Sequence, residues 1–212
     1  MVLNPAGAPA RIITVSPSND KGAFKIRPDC GTNVAVTGKQ PKTGRPALQA
    51  ADLERLALHY VERYATSRAR LQAYLHRKLR ERGWAGEAPP PVEQLAERMA
   101  QLGYVNDALF AEMRATALTR RGYGSRRVEE ALRLAGIEDS DAGAARTVAE
   151  EGAWDAAMRF ASRRRIGPYG ASPADEPTRK RQFSAMLRAG HSFEFSKRIV
   201  SAAPGDELEE PL

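Results

Sequence analysis

The sequence predicts an all-α protein: three tandem three-helix repeats in an elongated, curved array, preceded by a disordered N-terminal arm. Two observations set the class. Apolar residues recur at steps of three and four across two proline-free spans, 47–88 and 92–167, and strand-like alternation is absent from both. A third sets the architecture: helix, short connector, helix closing on glycine, helix runs three times at a spacing of about 50 residues, the pattern of a stacked array with a continuous core.

Taken in order, residues 1–46 hold six of the fourteen prolines and seven Lys/Arg against Asp20 and Asp29, and show no sustained helical period. Short β-prone runs at Arg11–Val15 and Asn33–Thr37 are too few to make a sheet. This segment reads as a basic, disordered arm. The first repeat spans 47–104. Leu53, Leu56, Ala57, Tyr60, Val61 and Tyr64 mark its first helix, Leu71, Tyr74, Leu75 and Leu79 its second, and Val92, Leu95, Ala96, Met99 and Leu102 its third. The second repeat, 105–152, has helices near 107–121, 125–135 and 140–151. The third, 153–203, has them near 154–165, 177–189 and 192–201. Residues 204–212 carry four acids and no base, and read as an acidic tail.

The breaks have capping chemistry. Ser67, Ser125 and Asp107 are placed to accept from the free N–H groups that open a helix. Gly83, Gly103, Gly136 and Gly190 follow apolar runs, where a left-handed residue ends a helix. Pro89-Pro90-Pro91 separates two helices. The connectors agree among repeats: Arg63-Tyr64-Ala65-Thr66-Ser67-Arg68, Arg121-Gly122-Tyr123-Gly124-Ser125-Arg126, and Arg165-Ile166-Gly167-Pro168-Tyr169-Gly170.

Composition narrows the function. With 42% hydrophobic and 28% charged residues a core can form. The single cysteine, Cys30, excludes an intrachain disulfide framework and a multi-thiolate zinc site, and His59, His76 and His191 are scattered, so no metal or cofactor is expected. Gly122-Tyr123-Gly124-Ser125 lacks the spacing and the lysine of a phosphate loop, and no nucleophile elbow occurs. Glu129 is placed to pair with Arg133, four residues on. The reading is of a protein that is not an enzyme.

The 33 Lys+Arg, mostly arginine, give a net charge of +7, which points to a polyanion or an acidic protein face as partner, with simple solubility as the alternative. The candidate contacts cluster at the joints: Arg68 and Arg70; Arg120, Arg121, Tyr123, Arg126 and Arg127; and Arg163, Arg164 and Arg165. Stacked in register, these would form one discontinuous cationic stripe. Tyr64 and Tyr123 are read as packing plugs of their joints, with base stacking as the alternative. No run approaches the about 18 apolar residues that span a bilayer, and Met1–Ala6 lacks a cationic start leading into an apolar run. A cytoplasmic monomer with no membrane contact is expected.

The second repeat carries a resemblance. Leu102-Gly103-Tyr104-Val105-Asn106-Asp107-Ala108-Leu109-Phe110-Ala111, then Arg120-Arg121-Gly122-Tyr123-Gly124-Ser125-Arg126-Arg127-Val128, then Leu132 and Gly136-Ile137, resembles the RecX family, small regulators of the bacterial recombinase RecA. The first repeat agrees through Ala57–Tyr60, Ser67-Arg68 to Leu79, and Arg82-Gly83-Trp84. Asn106 stands where the family usually has Asp, Ser67 to Gly83 is about one turn longer than its common spacing, and 167–177 is an insertion. The resemblance implies a bent chain of three-helix repeats that binds RecA and the RecA–DNA filament. It further implies restraint of ATP hydrolysis, filament growth and strand exchange in DNA repair, recombination and the SOS response, with direct contact to single- or double-stranded DNA in many members. The alternative reading is a helical nucleic-acid-binding protein that acts on DNA alone.

Overall fold

The computed structural model describes Gly44 and residues 46–211; the arm and its β-prone runs lie almost wholly outside them. The chain divides between Lys39 and Gln40, and every described residue belongs to the second unit. Among the described residues there are nine α-helices: α1 Ala50–Arg63, α2 Arg68–Arg82, α3 Val92–Gln101, α4 Asp107–Arg120, α5 Ser125–Leu134, α6 Gly143–Glu151, α7 Ala153–Arg164, α8 Glu176–Arg188 and α9 Phe193–Ser201. Short 3-10 turns lie at Asp139–Asp141 and Gly167–Tyr169. Among these residues no helix is long and apolar enough to cross a membrane.

Three cores follow one another along the chain. Leu48, Leu53, Leu71, Leu75, Val92, Leu95 and Met99 form the first, from α1–α3 and the lead-in to α1. The second, from α4–α6, is poorer in bulk: Ala111 and Ala115 of α4 face Ala145 and Ala149 of α6, with Leu118, Val128 and Leu132. Small side chains there let the two helix backbones approach closely. The third gathers Trp154, Phe160, Ile166, Met186 and Ile199 from α7–α9 and the turn after α7. Tyr123 packs against both the second and third cores, so it is the expected plug. Tyr64 is not, being 52% exposed.

Leu48 pairs with Trp84 through an isolated parallel bridge, and the Leu48 N–H bonds the Gly83 carbonyl at 3.0 Å. This fastens the lead-in to the end of α2. At the other end, the acidic segment is not detached. The Gly205 N–H bonds the Pro168 carbonyl at 2.9 Å and Leu208 packs on the third core.

Ser67 caps α2 as expected, accepting from the Arg70 N–H at 3.3 Å. The other two expected caps are displaced. Asn106, not Asp107, caps α4, accepting from the Leu109 N–H at 2.9 Å. Gly124, not Ser125, is the cap residue of α5, and Ser125 Oγ instead bonds the Ala149 carbonyl at 3.0 Å. The reason at α5 is steric: a Cβ on Gly124 would stand 2.3 Å from the Gly190 carbonyl oxygen, so no capping side chain fits. The Glu129–Arg133 pair is replaced by a longer-range one, with both Glu129 oxygens taken by Arg146 at 2.9 and 3.2 Å. All four glycines read as helix ends have positive φ.

Candidate functional site

The expected stripe begins at the first joint, where its leading member is engaged by carboxylates. The Arg68 side chain turns inward to the second repeat. Its Nε bonds Asp107 at 2.9 Å, a terminal nitrogen reaches Asp141 at 3.1 Å, and the other reaches Glu97 at 3.3 Å. The Arg68 backbone N–H also bonds Asp107, at 2.9 Å. Asp107 is therefore a cap after all, but of α2, a helix that starts 39 residues earlier. Only 6% exposed, it supplies negative charge where the dipole of α2 favours it. The hydrogen bond from Arg68 to Asp107, followed by the nearby carboxylates, raises the guanidinium pKa above its ordinary value. Ser67 Oγ adds a 2.7 Å bond to the Ala135 carbonyl. Arg68 thus holds two repeats together. Arg70 stays exposed, its guanidinium 5.3 Å from the Phe110 ring centre.

The second joint repeats the device with carbonyls. Gly124 N–H bonds the Ala189 carbonyl at 3.0 Å, and Arg126 N–H bonds the Gly190 carbonyl at 3.2 Å. The free donors that open α5 are thus satisfied by the end of α8 in the next repeat. Gly190 has φ +92 and comes so close that a Cβ there would meet the Arg127 nitrogen at 2.4 Å. Arg163 reaches back across the same joint to the Arg121 carbonyl. One compact region therefore joins the C-terminal ends of α4, α7 and α8 to the start of α5.

The exposed cations of this region are the candidate site. Arg120, Arg121 and Arg126 are exposed, and among the described residues no carboxylate pairs with them. Arg127 is paired with Glu130, and Arg163 is occupied by the Arg121 carbonyl. Arg164 lies over the Phe160 ring, 5.8 Å from its centre. Arg165 ends α7 in a left-handed conformation, φ 55, where other helices of this chain use glycine. Arg188, the exposed last residue of α8, stands beside the Ala189 and Gly190 carbonyls and belongs to the same region. The sequence reading missed it because the approach of Gly190 to the Arg126 N–H depends on long-range packing. Its one local signal was the arginine preceding Ala189-Gly190.

Helix dipoles account for some of these charges. Arg120, Arg163, Arg164 and Arg188 stand in last turns, where a cation is favoured for local reasons. Arg126 and Arg127 do not. Both stand in the first turn of α5, the end of a helix that disfavours a cation. Glu130 compensates Arg127; nothing among the described residues compensates Arg126. An unpaired arginine kept at the wrong end of a helix is the feature that helix chemistry leaves unexplained. Among the same residues there is no group of three or more His, Cys, Asp or Glu that could hold a metal ion.

These features define a helical-repeat protein whose candidate site is a cationic joint between repeats. No family model matches the chain. Regulatory protein RecX of Myxococcus xanthus is 34% identical over 177 residues, covering 78% of this chain and 91% of that protein. Regulatory protein RecX of Xanthomonas axonopodis pv. citri is 31% identical over 170 residues, covering 80% and 96%. The crystal structure of RecX from Lactobacillus salivarius superposes with a TM-score of 0.51 at 18% identity, covering 71% of this chain and 94% of that one, and shares the fold. The chain belongs to the RecX family of regulatory proteins.

Proposed function

We propose that this protein is a non-catalytic regulator that binds RecA and its nucleoprotein filament. In this reading it restrains RecA ATP hydrolysis, filament growth and strand exchange. The observation that carries it is the cationic joint, above all Arg126, exposed and uncompensated at the start of α5. Family membership supports a regulatory role, and the resemblance of 102–137 names RecA as the target. The mechanism is steric and electrostatic. A chain of packed repeats lays several weak contacts on neighbouring protomers at once, and their energies add because one body carries them all.

The test is the DNA-dependent ATPase of RecA from the same source, titrated with the purified protein. The wild-type chain lowers the rate. Reversing Arg120, Arg121 and Arg126 to glutamate weakens the effect by about tenfold or more without lowering the melting temperature, since all three are exposed. An ATPase unmoved by wild-type protein over a wide concentration range would sink the proposal. The same unpaired arginines fit phosphates, so direct action on DNA is the second reading. Tight binding to bare DNA with a steep salt dependence, about one log unit of affinity per log unit of salt for each phosphate neutralised, would favour it.

A further inference from the structure

We propose that the outward face of α4 docks an amphipathic helix of the protein partner, one whose two apolar anchors are accompanied by carboxylates. This rests on the reading that RecA is bound, and adds which face meets protein and by what chemistry.

The face is set by helix geometry. α4 buries Asp107, Ala111, Ala115, Leu118 and Thr119. At 100° per residue, Leu109 and Met113 fall on the opposite side, one turn apart. They are 54% and 44% exposed, and Leu102 and Tyr104, just before the helix, are 57% exposed each. Exposed apolar side chains scattered singly need no explanation, whereas two of them one turn apart on the same helix face mark a surface that meets something. Methionine and tyrosine suit such a surface, the one adaptable and the other rigid.

The frame of the strip selects the occupant. The Arg70 guanidinium lies over Phe110, the neighbour of Leu109, on the flank of the pair. Beyond the pair, Arg120 stands seven residues past Met113 on the same side, about 10 Å along the axis. Neither arginine has a carboxylate partner among the described residues, and Glu112, on the flank, is the acid on the exposed part of α4. An apolar pair with one cation on its flank and another about 10 Å beyond it is complementary to an apolar pair with an acid at each of those places. A nucleic-acid backbone does not fit it, because phosphates would lie against Leu109 and Met113.

The experiment compares the full chain with Leu109→Ser/Met113→Ser and with Arg70→Glu/Arg120→Glu. Binding to RecA, binding to a single-stranded oligonucleotide, and the melting temperature are each measured. The serine pair is expected to lose about tenfold or more in RecA affinity, with oligonucleotide affinity and melting temperature unchanged. The glutamate pair is expected to lose RecA affinity as well, which guards against a local fold defect in the serine variant. RecA affinity unchanged in the serine pair while wild type binds would overturn this inference alone. Loss of oligonucleotide affinity in step with RecA would overturn it too, by making the strip a nucleic-acid contact. Self-association of the free chain that the serine pair abolishes would overturn it in favour of a second copy. Wild-type protein that does not bind RecA at all would overturn both this inference and the functional reading beneath it.

Discussion

Asp107 and His191 show how much of this molecule turns on single buried polar groups. Asp107 accepts from the backbone and the side chain of Arg68 at once, with little exposure to water. Its removal strands a backbone N–H at a helix start and takes the buried partner from a guanidinium, so Asp107→Ala is expected to cost about 3 kcal/mol, read by urea denaturation. Asp107→Asn, which keeps one acceptor, should cost less. His191 is 2% exposed against Phe160, and neither ring nitrogen has a hydrogen-bond partner. Burial pushes its pKa down from 6.5 to about 4. The unfolded chain therefore binds a proton that the folded chain refuses between these values, and stability falls as pH drops through that window. The full loss is about 3 kcal/mol. His191→Phe should flatten the profile between pH 6.5 and 4.5. An unchanged slope would show that another group sets it. Carboxylates such as Glu129, held below its ordinary 4.5 by Arg146, lose their contribution only at lower pH.

At the scale of elements, each second helix of the first two repeats begins against the repeat that follows. α2 starts on Asp107 and the Ala135 carbonyl, and α5 starts on the Ala189 and Gly190 carbonyls. The device solves a local problem, the unsatisfied donors of a helix start, with groups from a neighbour. Helix initiation and repeat stacking thereby become one interaction. Gly124 is the tightest point of the second such contact. Its φ of −79 suits any residue, so Gly124→Ala adds a clash with the Gly190 backbone and no torsional strain. It is expected to destabilise by about 1–3 kcal/mol, unless the two repeats can separate. The expected signature is faster hydrogen exchange in α5, α8 and α9 with α1–α3 unaffected.

Across the whole molecule, sequence and fold can be compared residue by residue. Helix periods and glycine stops were legible because each depends on neighbours a few positions away, and the threefold reiteration because one pattern recurs about every 50 residues. The all-α class followed from them, while the RecX resemblance rested on the particular motifs between Leu102 and Ile137. Ser125 and Asp107 were correct as polar groups at helix starts and wrong as caps of their own helices. Arg68 and Arg70 looked equivalent in the chain, yet one is enclosed by three carboxylates and the other lies open over Phe110. The acidic segment likewise read as detached, because nothing in its own composition announces that Leu208 packs on a core drawn from residues 154–200. What the sequence determined by itself was the helical repeat and its cationic joints, since short-range periodicity and capping chemistry are written in adjacent turns. What only the tertiary structure decided was which arginines are consumed in holding repeats together and which stay exposed without a carboxylate partner among the described residues. That choice depends on carboxylates and carbonyls delivered from as far as 73 residues away, and charge pairing follows distance in space, not position along the chain.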